Sequence, residues 1–315
     1  MYDIIGDIHG HADKLEILLQ KLGYKKEFGV YSHPDKRKVA FVGDFIDRGP
    51  KIREALHIVK DMCDSENAIA IMGNHEYNAI CFHTPHTQKG GFFRDHNLKE
   101  IEQHIETLRQ FKYFDSEWAD FLDWFKTLPL FFENEDFRMV HACWDNANIN
   151  WLEKNLKKNE PITPEFLTKA ADENSREYHI VEETLKGKER KLPNGLSFAD
   201  KDGAVREECR IKWWVEESKR KIYNDVLVGC PTEIANEPLP NDSTFPSYTE
   251  NKLLFFGHYW FEGLPEKTNS KAICLDYSVA KKGHLVAYRL GSTGRKFKRR
   301  VYLLAVCKPR WHYYL

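Results

Sequence analysis

Apolar residues recur along this chain in two rhythms. Short runs of β-branched and aromatic residues read as strands, and apolar residues three and four apart read as helix faces. Tyr2-Asp3-Ile4-Ile5, Lys38-Val39-Ala40-Phe41-Val42 and Ala68-Ile69-Ala70-Ile71-Met72 are of the first kind. Between them, His11 to Leu22 carries Leu15, Leu18, Leu19 and Leu22 at helical spacing, opposite Asp13, Lys14, Glu16 and Lys21, with Gly23 placed as a C-cap. Lys51 to Met62 repeats the pattern with Ile52, Ala55, Leu56 and Val59. Strand, helix, strand, helix, strand predicts a parallel opening of an α/β domain.

From Tyr77 to about Leu128 the rhythm changes. His83-Thr84-Pro85-His86 and Lys89-Gly90-Gly91 predict a loop, followed by helices near 97–111 and 117–127, the second stopped by Pro129. Trp118, Phe121, Leu122 and Phe125 share one face and read as the core of a cap. Phe137 to Ala142 is strand-like and ends in a histidine. The stretch from Trp144 to about Asn251 is the longest irregular region, with a helix expected over Pro164 to Ala171 and a loop from Pro231 to Pro246. Strands resume at 252–256, 272–276, 284–290 and 300–306, the last two as an antiparallel pair. The expected organisation is one domain over 1–315, with cap insertions at about 77–136 and 148–251.

Composition narrows the class. A chain of 315 residues, 42% hydrophobic and 30% charged, can bury a core for one large α/β domain or two smaller ones. A net charge of -1 provides no global field to recruit nucleic acid or a membrane. Cysteines at 63, 81, 143, 209, 230, 274 and 307 are odd in number and include no C-x-x-C pair. That pattern predicts free thiols in a reducing cytoplasm. The start shows no signal-peptide pattern, and no apolar run approaches the ~20 residues of a spanning helix. The arginine- and lysine-rich run Arg295 to Arg300 reads as a solvated hairpin, since only Phe297 interrupts it and base stacking needs more.

The candidate chemistry lies at the strand ends. Three strands finish in a glycine followed by metal-ligand residue types: Gly6-Asp7-Ile8-His9-Gly10, Gly43-Asp44-Phe45-Ile46-Asp47-Arg48-Gly49, and Gly73-Asn74-His75-Glu76. Two later strands end at His141 and at Gly257-His258. In open α/β sheets the mouth beyond the strand ends is where ligands bind. A lone Asp-x-His at a strand end is ordinarily a satisfied turn, but five such boxes are not five coincidences. Two carboxylates and an arginine within five residues make sense if one carboxylate bridges metal ions, the other orients an acid or base, and the arginine grips an anion. Glu76 is expected to support backbone, Cys143 to be packed, and His11, His83, His86, His96 and His104 to be loop or surface residues.

These boxes, in this order, resemble the metallo-dependent phosphatases, or calcineurin-like phosphoesterases. The Gly-Asp-x-x-Asp-Arg-Gly form resembles their phosphoprotein phosphatase branch. The opening Tyr-Asp-Ile-Ile-Gly-Asp-Ile-His-Gly is also similar to bacterial dinucleoside tetraphosphatases. The likeness covers the first quarter of the chain and a few later boxes. It implies a four-layer α/β/β/α sandwich of two mixed sheets, with helical and loop caps. It also implies two divalent metal ions, manganese foremost with iron or zinc as alternatives, since mixed nitrogen and oxygen ligands suit each. One ion would take Asp7, His9 and Asp44; the other would take Asp44, Asn74, His141 and His258. By the same resemblance His75 is the general acid, Asp47 orients it, and Arg48 and Asn74 bind phosphate. A second phosphate-binding arginine would be Arg206 or, preferred, Arg210.

Two departures stand out. Relatives outside the phosphoprotein branch carry Gly-His-x-His, where this chain has Gly257-His258-Tyr259-Trp260, so one ligand of the first metal is absent. The phosphoprotein branch has His-Gly-Gly where this chain has His141-Ala142-Cys143. The implied activity is hydrolysis of a phosphomonoester, phosphoserine or phosphothreonine in a protein among the candidates, by attack of a metal-bridging hydroxide. The alternative is a bis(5'-nucleosyl)-tetraphosphatase-type nucleotide hydrolase. A catalytically silent binding protein on the same scaffold would be marked by a missing core ligand, and none of the six is missing.

Overall fold

Side chains alternate along the core strands between two apolar environments, and that alternation builds the molecule. The computed structural model describes residues 1–86, 88–157, 160–199, 205–241, 244–266, 268–291 and the backbone of 303–305. Strands β1 (Tyr2–Ile5), β2 (Lys38–Phe41) and β3 (Ala68–Ala70) are parallel, with Ile4 opposite Ala40 and Phe41 opposite Ala70. Strands β4 (Phe131–Glu133), β5 (Phe137–Val140), β6 (Leu253–Phe256) and β7 (Ala272–Cys274) form a second sheet in the order β7–β6–β5–β4. There β5, β6 and β7 are parallel and β4 is antiparallel to β5. Strands β8 (Asp276–Tyr277), β9 (His284–Arg289) and β10 (Leu303–Ala305) return to the first sheet. β9 runs antiparallel to β1, with Asp3 opposite Arg289, and both β8 and β10 pair antiparallel with β9. Both sheets are mixed, as expected, and the antiparallel pairing of β9 with β10 was also expected.

The period of two does the sorting. Ile4, Ala40, Val42 and Ile71 face Phe137, Met139, Phe255 and Ile273 in a buried cluster between the sheets. Their neighbours Ile5, Val39 and Phe41 point the other way, into a cluster with Leu15 and Leu19 of helix α1 (Ala12–Lys21) and Leu56 and Val59 of α2 (Ile52–Asp64). On the second sheet, Phe256 turns outward onto the rings of Trp213 and Trp214, at centroid distances of 4.7 and 5.2 Å. A fully buried Leu, Ile or Phe is worth about 1.5–3 kcal/mol, so slipping one strand by a residue would forfeit several such contributions at once.

Most expected helices form where the pattern put them. Gly23 takes φ +89°, the left-handed geometry of a helix C-cap. Helices α3 (Asn74–His83), α4 (Leu98–Phe111) and α5 (Asp115–Thr127) follow β3. The first of these was not expected, and the loop expected at His83 to His86 and Lys89 to Gly91 follows its end. Eight of its ten residues are buried, so it shows no polar stripe to betray a 3.6-residue period. Helix α3 also crosses the expected insertion start at 77, and β4 lies before the expected end at 136. The region read as irregular holds α6 (Asn146–Asn155), α7 (Pro164–Ala170) and α8 (Arg176–Lys186), of which only α7 was expected. The side chains of Asp145 and Ser175 cap α6 and α8 by accepting backbone N–H groups. No described helix is long and apolar enough to cross a membrane. The basic run 295–300 and Cys307 lie outside the described residues.

One ion cluster ties β1 to β9. The fully buried Asp3 carboxylate accepts from Arg37 (2.8 and 2.9 Å), from Arg289 (2.8 and 3.0 Å) and from the Tyr24 hydroxyl (3.1 Å). Burial opposes its ionisation, but the hydrogen bonds and charges of Arg289 and Arg37 outweigh burial and hold its pKa below the usual value. A depressed carboxylate pKa stabilises the fold above the unfolded value of about 3.9 and loses that contribution as pH falls through the folded value. Asp3→Asn should therefore cost about 3–5 kcal/mol at pH 7, because it strands buried cationic groups. The gap to the parent protein should shrink near pH 3. Urea denaturation at both pH values reads this out, and an equal gap at both would rule out the linkage.

Candidate metal centre

Strands from both sheets deliver the chemical residues to one end of the sandwich: β1 leads to Asp7 and His9, β2 to Asp44, β3 to Asn74, β5 to His141 and β6 to His258. The backbones pass so close there that side chains must be absent at defined points. A Cβ on Gly73 would stand 2.2 Å from Asp44 Oδ1, and one on Gly257 would stand 1.9 Å from Asp7 Oδ1. The turns are also bent into rare geometry. His9, Asp44, Asp47, Arg48, His258 and Trp260 all have φ between 43 and 73°, in the left-handed region. Non-glycine residues in sparsely populated regions cost about 1–3 kcal/mol each and persist where the surroundings over-determine them.

Asp44 is the hub. Its Oδ2 lies 3.6 Å from His9 Nε2 and 4.0 Å from His75 Nε2, while its Oδ1 lies 3.4 Å from His141 Nε2 and accepts the His75 backbone N–H at 3.0 Å. Two sets of donor atoms thus share one buried carboxylate: His9 and His75 with Asp44, and His141 and His258 with Asp44. Asn74 Oδ1 joins the second set, 3.0 Å from His141 Nε2 and 2.8 Å from His258 Nδ1. Asp7 is brought in beside His258, whose backbone N–H it accepts through Oδ2 at 2.9 Å.

The donor set fits divalent cations. His9 Nδ1 and His141 Nδ1 face the carbonyl oxygens of Ile46 (3.0 Å) and Val42 (2.8 Å), and a carbonyl only accepts. Each Nδ1 therefore carries a proton, which leaves Nε2 as the ring atom that would bind a cation, the second-shell arrangement of metal-binding histidines. Asp7 Oδ1, His9 Nε2 and His258 Nε2 are buried without a hydrogen-bond partner, an arrangement that costs about 1–3 kcal/mol per group unless something binds there. Burial and the neighbouring His75 push His9 down to about 3, so it stays neutral. Burial would lower His141 as well, but the Asp44 charge raises it to about 10. The field that holds a proton there would hold a metal ion.

Glu76 fixes the hub. Its carboxylate accepts the backbone N–H groups of Gly73 (2.9 Å), Asp44 (2.8 Å) and Phe45 (2.8 Å), so the α3 N-terminus and the Asp44 turn are one unit. This is the backbone support expected of it. The departure from His-Gly-Gly is also accommodated. Ala142 and Cys143 donate their N–H groups to Thr184 O of α8, and Trp213 Nε1 donates to Ala142 O at 3.0 Å. Cys143 is packed, and burial pushes its thiol pKa well up.

The second group of expected residues surrounds this hub. His75 Nδ1 donates to Asp47 Oδ2 at 2.5 Å. Burial disfavours the His75 cation, but Asp44 and then Asp47 outweigh it and raise the pKa. The Arg48 guanidinium lies 4.0 Å from the centroid of the Trp260 ring. Trp260 stands where Gly-His-x-His would put a second histidine, and its ring is 5.9 Å from that of His9. Its backbone N–H is held at 2.6 Å by the buried Asp276. Arg210, from the small hairpin of Glu189–Lys191 with Glu208–Arg210, comes close enough that its charge adds to burial in lowering His258. Arg206 is exposed on a different two-stranded ribbon. The sequence reading missed Trp260 and Asp276, and it misplaced His104. That histidine is buried, with Nδ1 2.7 Å from Asp47 Oδ1. His83, also read as a surface residue, lies behind it at 3.2 Å.

Comparison with known proteins places the chain in a family. The sequence profile of the calcineurin-like phosphoesterases matches residues 2–258. Bis(5'-nucleosyl)-tetraphosphatase PrpE (asymmetrical) of Halalkalibacterium halodurans is 49% identical over 74 residues, 24% of this chain and 30% of that protein. Its namesake from Geobacillus sp. is 45% identical over 73 residues, 23% of this chain and 30% of the relative. The match thus spans less than a third of the length of these curated relatives. Among solved structures, a Saccharomyces cerevisiae protein serine/threonine phosphatase with similarity to human phosphatase PP5 aligns with TM-score 0.49 and 15% identity, covering 99% of this chain and 81% of that one. A profile match that runs from β1 to His258 makes this chain a member of the calcineurin-like phosphoesterase family.

Proposed function

We propose that this chain holds two divalent cations about Asp44 and uses them to hydrolyse phosphomonoesters, protein phosphoserine and phosphothreonine among the candidates. The observation that supports two ions is the division of one carboxylate, with Oδ2 toward His9 and Oδ1 toward His141. Asp7, His9 and Asp44 would hold one ion, and Asp44, Asn74, His141 and His258 the other; manganese, iron and zinc all suit such ligands. When bound, ions about 3.5–4 Å apart neutralise phosphate charge and lower the pKa of water.

The remaining work falls to the chain's own groups. Arg48 grips the phosphate with its planar fork, and Trp260 holds that fork in place. Asn74 and Arg210 lie on the His258 side and complete the anion site. His75 carries its Nδ1 proton toward Asp47, so Nε2 faces the centre and protonates the leaving oxygen. The segments of about 77–136 and 148–251 act as caps on a single domain over 1–315. Six described cysteines are free, which suits a reducing cytoplasm.

A second reading is hydrolysis of dinucleoside tetraphosphates. It is supported by the names of the relatives and by Lys281, whose Nζ lies 4.2 Å from the Trp260 centroid and adds a second cation beside Arg48 for a phosphate chain.

Metal analysis of the manganese-loaded protein should give two ions per chain, and Asp44→Asn should lower both the count and p-nitrophenyl phosphate turnover, the latter by ~100-fold or more with the fold intact. One ion per parent chain would sink the two-ion reading. A panel of phosphopeptides, mononucleotides and dinucleoside polyphosphates, compared by kcat/KM, decides the substrate. A preference for phosphopeptides of at least ~100-fold, about 2.7 kcal/mol, supports the first reading, and the reverse preference replaces it with the second.

A further inference from the structure

The Asp47 carboxylate is shared. Its Oδ2 accepts from His75 Nδ1 at 2.5 Å. Its Oδ1 accepts from His104 Nδ1 at 2.7 Å and from the Thr107 hydroxyl at 2.6 Å. Thr107 Oγ1 in turn accepts the Asp47 backbone N–H at 3.1 Å. His104 and Thr107 lie three residues apart on α4, so they project from one helix face. Asp47 itself stands at φ +65°, and its backbone and side chain are both gripped by that face.

The protons on His104 can be placed by following the chain outward. Trp118 Nε1, which can only donate, points at His83 Nε2 at 3.2 Å. His83 Nε2 is therefore an acceptor. His104 Nε2 lies 3.2 Å from that same atom, whose single lone pair faces the indole N–H. A carboxylate only accepts, so His104 Nδ1 carries the proton that it donates to Asp47 Oδ1. Burial first, and then the adjoining His104, hold the His83 pKa down at about 4, in keeping with an acceptor nitrogen.

We propose that His104, carried by the α4 segment between β3 and β4, is a positioning residue for the hydrolysis: it clamps Asp47 so that Asp47 fixes the His75 ring with its Nε2–H toward the leaving oxygen. This rests on the reading of His75 as proton donor to the leaving group. The consequence is specific. A carboxylate held on one oxygen by Thr107 and His104 leaves the other oxygen aimed at His75 Nδ1. Without His104, Asp47 can rotate, and the His75 ring loses the Nδ1–H hydrogen bond that aims Nε2–H at the leaving oxygen.

The test uses the metal-loaded full chain with two substrates that differ in leaving group, phenyl phosphate and p-nitrophenyl phosphate. A proton donor matters more for phenolate, the more basic leaving group. His104→Ala should lower kcat on phenyl phosphate by ~10-fold or more, lose clearly less on p-nitrophenyl phosphate, and change KM little. His104→Asn, whose amide can still donate to Asp47 Oδ1, should recover most of the loss. Adding His104→Ala to His75→Ala should cost nothing further, since both act through one proton. Imidazole nitrogen NMR of the zinc-loaded protein gives a readout independent of turnover. The His75 Nδ1–H should show a strong hydrogen-bond shift in the parent protein, and that shift should weaken in His104→Ala. Thr107→Val, which removes only a hydroxyl, provides a milder variant should His104→Ala fold poorly, with the same selective loss expected.

Equal losses on both substrates, or an unchanged His75 Nδ1–H signal, would overturn the positioning role and leave His104 as cap packing. If His75→Ala itself loses equally on both substrates, the proton-donor reading fails and this proposal fails with it, an outcome distinct from a selective His75→Ala beside an unselective His104→Ala.

Discussion

The structure depends on keeping negative charge buried where strands end. Asp7, Asp44, Glu76 and Asp276 are all nearly inaccessible to water. An unpaired buried carboxylate costs several kcal/mol even after relaxation, and like charges make each other worse. The strain is visible in the groups themselves. Burial and then Asp276 raise Asp7, and burial and then Asp44 raise Glu76. Glu76 is partly offset by the backbone N–H groups it collects at the start of α3. Asp7 is not, since one of its oxygens has no partner. The metal dependence of the family gives this concentration of charge its purpose: multivalent cations turn the repulsion into ligation.

That requirement explains the architecture around it. Donor atoms for a cation must come from several strands, because one turn cannot wrap it from both sides. The two sheets pack face to face through Ile4, Ala40, Phe137 and Phe255, and so bring five strand ends to one edge. Close approach then forces glycine at 73 and 257, and the turns take left-handed geometry at several bulky residues. None of this is favourable locally. It persists because each turn is anchored by an apolar strand on one side and, for Asp44 and Asn74, by the Glu76 carboxylate on the other.

Much of this was legible in the sequence for a physical reason. A strand that ends in glycine and then in ligand residue types states both where the backbone goes and what it carries there. The core strands, helices α1 and α2, and the convergence of Asp7, His9, Asp44, Asn74, His141 and His258 all follow from such local statements. What was missed shares the opposite property. Helix α3 is buried almost all round, so no periodic face marks it. His104 and His83 look like surface histidines because nothing within a few residues of them is chemical. Their partners, Asp47 and Trp118, arrive from other elements. Trp260 could be read only as a ligand that was absent, not as what replaced it.

That replacement has a charge logic of its own. A histidine at position 260 would present a smaller ring and a further ligand nitrogen. The indole instead offers its π face to the guanidinium at 4.0 Å, an attraction worth about 0.5–2 kcal/mol depending on exposure. That is comparable to the rotamer entropy of an arginine side chain, so it suffices to keep an exposed guanidinium oriented. The same ring approaches His9 and is pinned through its backbone by Asp276. Position 260 thus ties the turn that carries His9 to the turn that carries Arg48 through one aromatic ring rather than through a further ligand nitrogen.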